Sequence, residues 1–127
     1  MKKTYKKAVT FSYDDGVVFD ERLIGIFNKY NIKGTFNLTG INKNEDDGWV
    51  TERGLLVRGF NFLNEKNVHI YDGHEIAGHT RNHYWLNKID DETLKEEILG
   101  NRHDLERVFG KKVNGIAYPF NTYDDRA

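Results

Sequence analysis

Ala8-Val9-Thr10-Phe11-Ser12-Tyr13-Asp14-Asp15-Gly16 is the stretch on which the fold turns. Its β-branched and aromatic run, Ala8 to Tyr13, predicts a strand, and the Asp14-Asp15-Gly16 that ends it is a turn signal. Phe19 to Tyr30 then predicts a helix, with Leu23, Ile26, Phe27 and Tyr30 at spacings of three and four. Lys33-Gly34-Thr35-Phe36-Asn37-Leu38 predicts a second strand. Asn42 to Gly48 is polar and acidic and reads as a surface loop, and Thr51 to Lys66 as a helix weakened by Gly54 and Gly59. Val68-His69-Ile70-Tyr71 and Glu75-Ile76-Ala77 compete for the next strand. Asp90 or Asp91 caps a helix running to about Phe109, ended by Gly110 and burying Leu94, Ile98, Leu105, Val108 and Phe109. Val113 to Tyr118 predicts a further strand, stopped by Pro119. Strand-helix alternation implies an α/β fold, a parallel sheet with flanking helices, and ligands at the C-terminal strand ends.

The bulk numbers fit one such domain. The chain has 127 residues, 38% hydrophobic and 31% charged, enough to bury a core across residues 1–127. A net charge of −1 gives no long-range pull toward nucleic acid or anionic membrane. With no cysteine, any metal must be held by histidine and carboxylate. The basic Met1 to Lys7 is followed by a run too short for a signal peptide's apolar region, and no stretch reaches membrane-spanning length, so a cytoplasmic protein is expected.

Two clusters carry chemistry. Asp14 and Asp15 sit where a strand becomes a loop, so their side chains point different ways. One can bind a metal while the other faces a substrate. Taken alone, Asp-Asp-Gly is also an ordinary turn. In His74-Glu75-Ile76-Ala77-Gly78-His79-Thr80-Arg81-Asn82-His83, His79 and His83 lie four apart. A helical turn would put both imidazoles on one face, within reach of one ion. His74 is a candidate to orient a metal-ligating neighbour, while His69 and His103 read as ordinary surface residues. Two histidines and a carboxylate leave a coordination position open for water, as catalytic metals require.

Three segments in chain order, Phe11-Ser12-Tyr13-Asp14-Asp15-Gly16, His79-Thr80-Arg81-Asn82-His83 and Ala117-Tyr118-Pro119-Phe120-Asn121, resemble the first three motifs of the polysaccharide deacetylase family, the NodB homology domain of carbohydrate esterase family 4. Gly73-His74-Glu75-Ile76 and Gly34-Thr35-Phe36 resemble it too. The resemblance implies the N-terminal portion of a distorted, partial (β/α) barrel. It implies a hydrolase that removes acetyl from N-acetyl or O-acetyl groups of an oligo- or polysaccharide. By position Asp15, His79 and His83 resemble the ligands of one divalent metal, zinc first, with cobalt, nickel or manganese as others. Asp14 resembles the catalytic base. Tyr118, Pro119 and Phe120 resemble the substrate groove wall, and the Phe120 N–H the donor to the oxyanion.

The sequence departs from the family pattern in three places. Ile116-Ala117-Tyr118 lacks the arginine that usually orients the base. Asn121 stands where glycine is common. The leucine-x-histidine motif that supplies the general acid would lie beyond Ala127, so a truncated barrel is expected, either a piece of a longer product or a short domain covering its open edge by self-association. The alternative function is a catalytically incomplete metal- or carbohydrate-binding domain on the same scaffold. A receiver domain of similar length would also place an acidic pair after its first strand, but His79 and His83 suit late first-row metals better than magnesium.

Overall fold

In the computed structural model, residues 6–41, 49–50, 53, 56–57 and 64–127 are described. Three short strands, β1 (Ser12–Asp15), β2 (Thr35–Leu38) and, counting a two-stranded hairpin between them, β5 (Glu75–Gly78), form one parallel sheet in the order β1-β2-β5. The hairpin strands are β3 (Trp49–Val50) and β4 (Leu56–Val57), antiparallel to each other. Helix α1 (Asp20–Lys29) connects β1 to β2. After β5 come α2 (Asp91–Lys95), a single π turn over Glu96–Gly100, and α3 (Asn101–Phe109), which ends on a left-handed Gly110. The α/β class with parallel strands and flanking helices is as expected.

Several boundaries differ from the sequence reading, each for a local reason. The first strand begins at Ser12 rather than Ala8. Val9 is 78% exposed, and only from Phe11 does the backbone reach β2, where its carbonyl accepts the Thr35 N–H at 2.9 Å. The strand therefore carries the acidic pair at its own C-terminal end. Helix α1 buries Asp20, Ile24 and Phe27, the stripe that meets the sheet. Ile26, about 100° round the helix from Phe27, is 46% exposed, and Tyr30, at the C-cap just past the last helical residue, is 64% exposed. Of the two candidates for the third strand, Val68–Tyr71 is a 3-10 turn that delivers Tyr71 to the core, and Glu75–Gly78 pairs with β2.

The predicted helix over Thr51 to Lys66 is corrected where the structure describes it. Leu56–Val57 is strand, and residues 65–67 are turn. Gly54 and Gly59 weaken helix on both sides of the apolar pair. The remainder of that range, and the predicted loop over Asn42 to Gly48, lie outside the described residues. Among the described residues Val113 to Tyr118 makes one bridge, Ile116 beside Gly78 in parallel. The Gly78 N–H donates to the Gly115 carbonyl and the Ala117 N–H to the Gly78 carbonyl, both at 2.9 Å.

The core gathers Ile24, Phe27, Phe36, Leu38, Tyr71, Ile76, Leu105 and Val113. It cements α1 and α3 to the sheet. The register aligns Asp15 with Leu38 and Leu38 with Gly78, so the C-terminal ends of all three strands finish level. His79 and the Ile116-Ala117 bridge follow directly from that edge. No helix among the described residues is long and apolar enough to cross a membrane.

Candidate metal centre

The level strand ends place Asp15 at the end of β1 and His79 just past β5, one strand apart. His83 returns to the same point by a tight loop. Asp15 Oδ1 lies 3.3 Å from His79 Nε2 and 3.1 Å from His83 Nε2. One ligand atom from each residue falls within 4.8 Å of the others. The imidazole centroids are 4.9 Å apart. The expected helical turn is corrected here. Thr80 (φ 65°) and His83 (φ 59°) are left-handed, so the pair is brought together by a loop instead. That loop is closed by the His83 N–H donating to Thr80 Oγ1 at 3.1 Å.

Backbone strain concentrates at this spot. Among the described residues, the non-glycine positions with positive φ are Asp15, Asn31, Thr80, His83, Phe120 and Asn121; Asp15 and His83 belong to the cluster, Thr80 lies in its loop and Phe120 packs on His83. Each such residue costs about 1–3 kcal/mol, which persists where the surroundings over-determine it.

The residues present suit a divalent cation. Ligand bonds of about 2.1 Å in tetrahedral geometry put neighbouring donor atoms about 3.4 Å apart, close to the two distances above. Asp15 Oδ1 is buried and makes no hydrogen bond. The two imidazole Nε2 atoms stand 3.3 and 3.1 Å from it, the spacing that donor atoms take around a shared cation. The Nδ1 of His79 lies 2.9 Å from the Ala117 carbonyl oxygen. Donating its proton there leaves the Nε2 lone pair free to bind. Burial works against the Asp15 charge, but His79 and His83 outweigh it and hold this carboxyl far below the usual range. Burial also opposes a charged His79, yet the Asp15 contact, the Ala117 carbonyl and the charges of Asp14 and Asp15 raise its pKa.

Asp14 stands apart from the three, on the exposed side of β1. Its Oδ1 accepts a hydrogen bond from Asn37 Nδ2 at 2.7 Å, and the same amide donates to Ser12 Oγ at 2.8 Å. Asn37 is a residue the sequence reading missed. In Thr35-Phe36-Asn37-Leu38 it continues an ordinary polar-apolar alternation, so only its burial and its bond to Asp14 mark it out.

Phe120 leans edge-on against His83, centroids 4.6 Å apart, and its other neighbour is Trp85, stacked 4.4 Å away at 6°. Lys88 Nζ sits 4.4 Å from the centre of the Trp85 ring. Pro119 is buried, and Tyr118 stacks on Tyr123 at 5.4 Å. Of the three, Phe120 is the one in contact with the cluster, through His83, while Trp85 went unnoticed in the sequence.

His74 is not part of it, and its expected role beside a metal ligand is corrected. His74 precedes β5 whereas His79 follows it, so a whole strand, about 13 Å, separates them. Its Nδ1 accepts the Gly34 N–H at 3.3 Å, its Nε2 pairs with Asn28 Oδ1 at 3.1 Å, and its ring packs on Phe36. The group that meets the far nitrogen of His79 is the Ala117 carbonyl. Exposed His69 and His103 lie outside the cluster.

Residues 1–127 match the family described as polysaccharide deacetylase. The uncharacterized protein YlxY of Bacillus subtilis (strain 168) is 25% identical over 103 residues, covering 81% of this chain and 27% of that one. Among solved structures, the Streptococcus pyogenes deacetylase PplD in complex with acetate superposes with a TM-score of 0.74 at 25% identity, covering 96% of this chain and 50% of that chain. The chitin deacetylase from the fungal pathogen Colletotrichum lindemuthianum superposes with a TM-score of 0.66 at 20% identity, covering 91% of this chain and 46% of that one. The chain spans half or less of the length of these proteins.

Proposed function

Because this chain belongs to the polysaccharide deacetylase family, we propose that it carries the metal-binding portion of a deacetylase site acting on acetylated oligo- or polysaccharide. The observation that carries the reading is the convergence of Asp15, His79 and His83, with a buried Asp15 oxygen that has no hydrogen bond. Those three residues would hold one divalent metal, zinc being favoured by the imidazole-rich donor set. When bound, the metal supplies Lewis acidity to the acetyl carbonyl and acidity to a water.

The remaining work falls to this chain's own groups. Asp14, outside the ligand set and held by Asn37, would take the proton of the attacking water. The Phe120 N–H, on the left-handed turn beside His83, is assigned to donate to the oxyanion that forms on the acetyl carbon. Asn37 offers an answer to the missing arginine, because its amide fixes one oxygen of Asp14 and leaves the other free. Tyr118, Phe120 and Trp85 offer aromatic surface to a sugar ring.

A second reading rests on the length comparison. A chain spanning half of PplD could bind metal and carbohydrate without turnover, its barrel completed by further polypeptide or by a second copy. Acetate release from chitin oligomers and acetylated xylan, with and without added zinc, separates the two. Zinc-dependent acetate supports the deacetylase. Stoichiometric zinc without acetate supports the binding domain.

A further inference from the structure

The loop from His79 to His83 is gripped by one face of the helix that follows it. The His79 N–H is shared between the Leu38 carbonyl and Asn101 Oδ1, each at 3.1 Å. The Arg81 N–H donates to the Glu97 carbonyl at 3.0 Å. The Asn82 N–H donates to Glu97 Oε2 at 2.7 Å and the Asn82 side-chain amide to Glu97 Oε1 at 2.5 Å. Glu97 and Asn101, 2% and 1% exposed, are therefore buried polar groups aimed at the loop.

Helix geometry is bent to this purpose. At the π turn the Asn101 N–H goes to the Ile98 carbonyl, and the Glu97 carbonyl accepts from Arg81 outside the helix. Such single wide turns recur at functional sites. Gly100 lets the Arg81 guanidinium lie flat on the turn, since a Cβ there would stand 2.6 Å from Arg81 Cζ. Arg81 itself reaches past Glu97 to Asp104 and Glu96, at 2.9 and 3.1 Å.

On the metal reading above, we propose that Glu97 is a positioning residue for the metal ligands: by taking both amide groups of Asn82 it sets the strained loop that presents His79 and His83. Glu97 makes no ion pair among the described residues, and a buried carboxylate held that way is an expensive way to join two elements. What it provides is geometry. Two acceptor oxygens on one rigid carboxylate fix both the place and the orientation of the peptide next to His83. Thr80 and His83 are left-handed and would not hold that conformation unaided.

The test is competition of the metal-free chain with a chromophoric chelator for zinc, alongside thermal unfolding without metal. Glu97→Gln turns one acceptor into a donor facing the Asn82 amide, and zinc affinity is expected to fall about 10–100-fold, as for other groups that orient metal ligands. The pair Asn82→Asp with Glu97→Gln reverses donor and acceptor and should recover most of that loss. Asn82→Ala, at an exposed residue, removes only the side-chain arm and should weaken zinc several-fold even where the Glu97 variant folds poorly. A purely structural Glu97 would lower the metal-free unfolding temperature and leave zinc affinity unchanged in all three, which overturns the proposal. A wild-type chain that takes up no zinc overturns the metal reading itself, before any variant is compared.

Discussion

Asp20 is a buried carboxyl that the site does not use, and replacing it should stabilise the protein in a pH-dependent way. It is 3% exposed and accepts a hydrogen bond from the Tyr71 hydroxyl at 2.8 Å. Burial raises its pKa, the Tyr71 hydroxyl partly offsets this, and the charge of Asp15 adds to it, leaving a pKa of about 6 against an ordinary 3.8. A folded-state pKa above the unfolded one means that the native state holds this proton more tightly. The group's contribution is therefore fully present below about pH 4 and is lost as pH rises through about 6. Above that, the charged form costs about 3 kcal/mol, from roughly two pKa units at about 1.4 kcal/mol each. Asp20→Asn keeps an acceptor for Tyr71 without the charge. At pH 8 the variant should unfold up to about 10 °C higher than wild type, and at pH 4 the two should coincide. Circular-dichroism melts at a series of pH values measure this. An Asp20→Asn variant no more stable at pH 8 than at pH 4, relative to wild type, refutes the reasoning.

Three further outcomes follow from the geometry. Asn37→Leu removes the donor to Asp14 and should lower deacetylation about 10–100-fold through loss of orientation, with zinc affinity unchanged; acetate release and a zinc titration check the two halves. Gly78→Ala places a Cβ 2.8 Å from Asn101 Oδ1 and should cost about 1–3 kcal/mol by overpacking, read as a lower unfolding temperature. Zinc must displace the proton of His79, whose pKa is raised, so zinc affinity should fall as pH drops through a value above 6.5, higher than for an ordinary histidine; calorimetric titrations across that range check it.

The sequence showed the sheet order's main ingredients because strand and helix periods are local. The alternation from Ser12 to Leu38, the helix from Asp91 to Phe109 and the motifs around Asp15, His79 and His83 were all legible. What stayed hidden depends on contacts between distant residues. Ile26 and Tyr30 fit a helical stripe as well as Ile24 does, and only the sheet beneath α1 selects among them. His79 and His83 read as a helical pair because spacing alone cannot reveal left-handed residues at Thr80 and His83. His74 looked like a neighbour of the site in sequence, but an intervening strand carries it to the opposite edge. Asn37 and Glu97 did not stand out, the one continuing the polar-apolar alternation of Thr35 to Leu38 and the other being one acid among several in a helix. Their partners, Asp14 and Asn82, are 23 and 15 residues away.

The central claim is that Asp15, His79 and His83 bind one metal ion together. Elemental analysis of the chain after zinc loading and dialysis, with X-ray absorption at the zinc edge, tests it most directly. The account expects one zinc per chain, nitrogen and oxygen ligands at about 2.0–2.2 Å, and loss of the zinc in both Asp15→Ala and His79→Ala. Substoichiometric zinc in the wild type, or full occupancy in either variant, would contradict it.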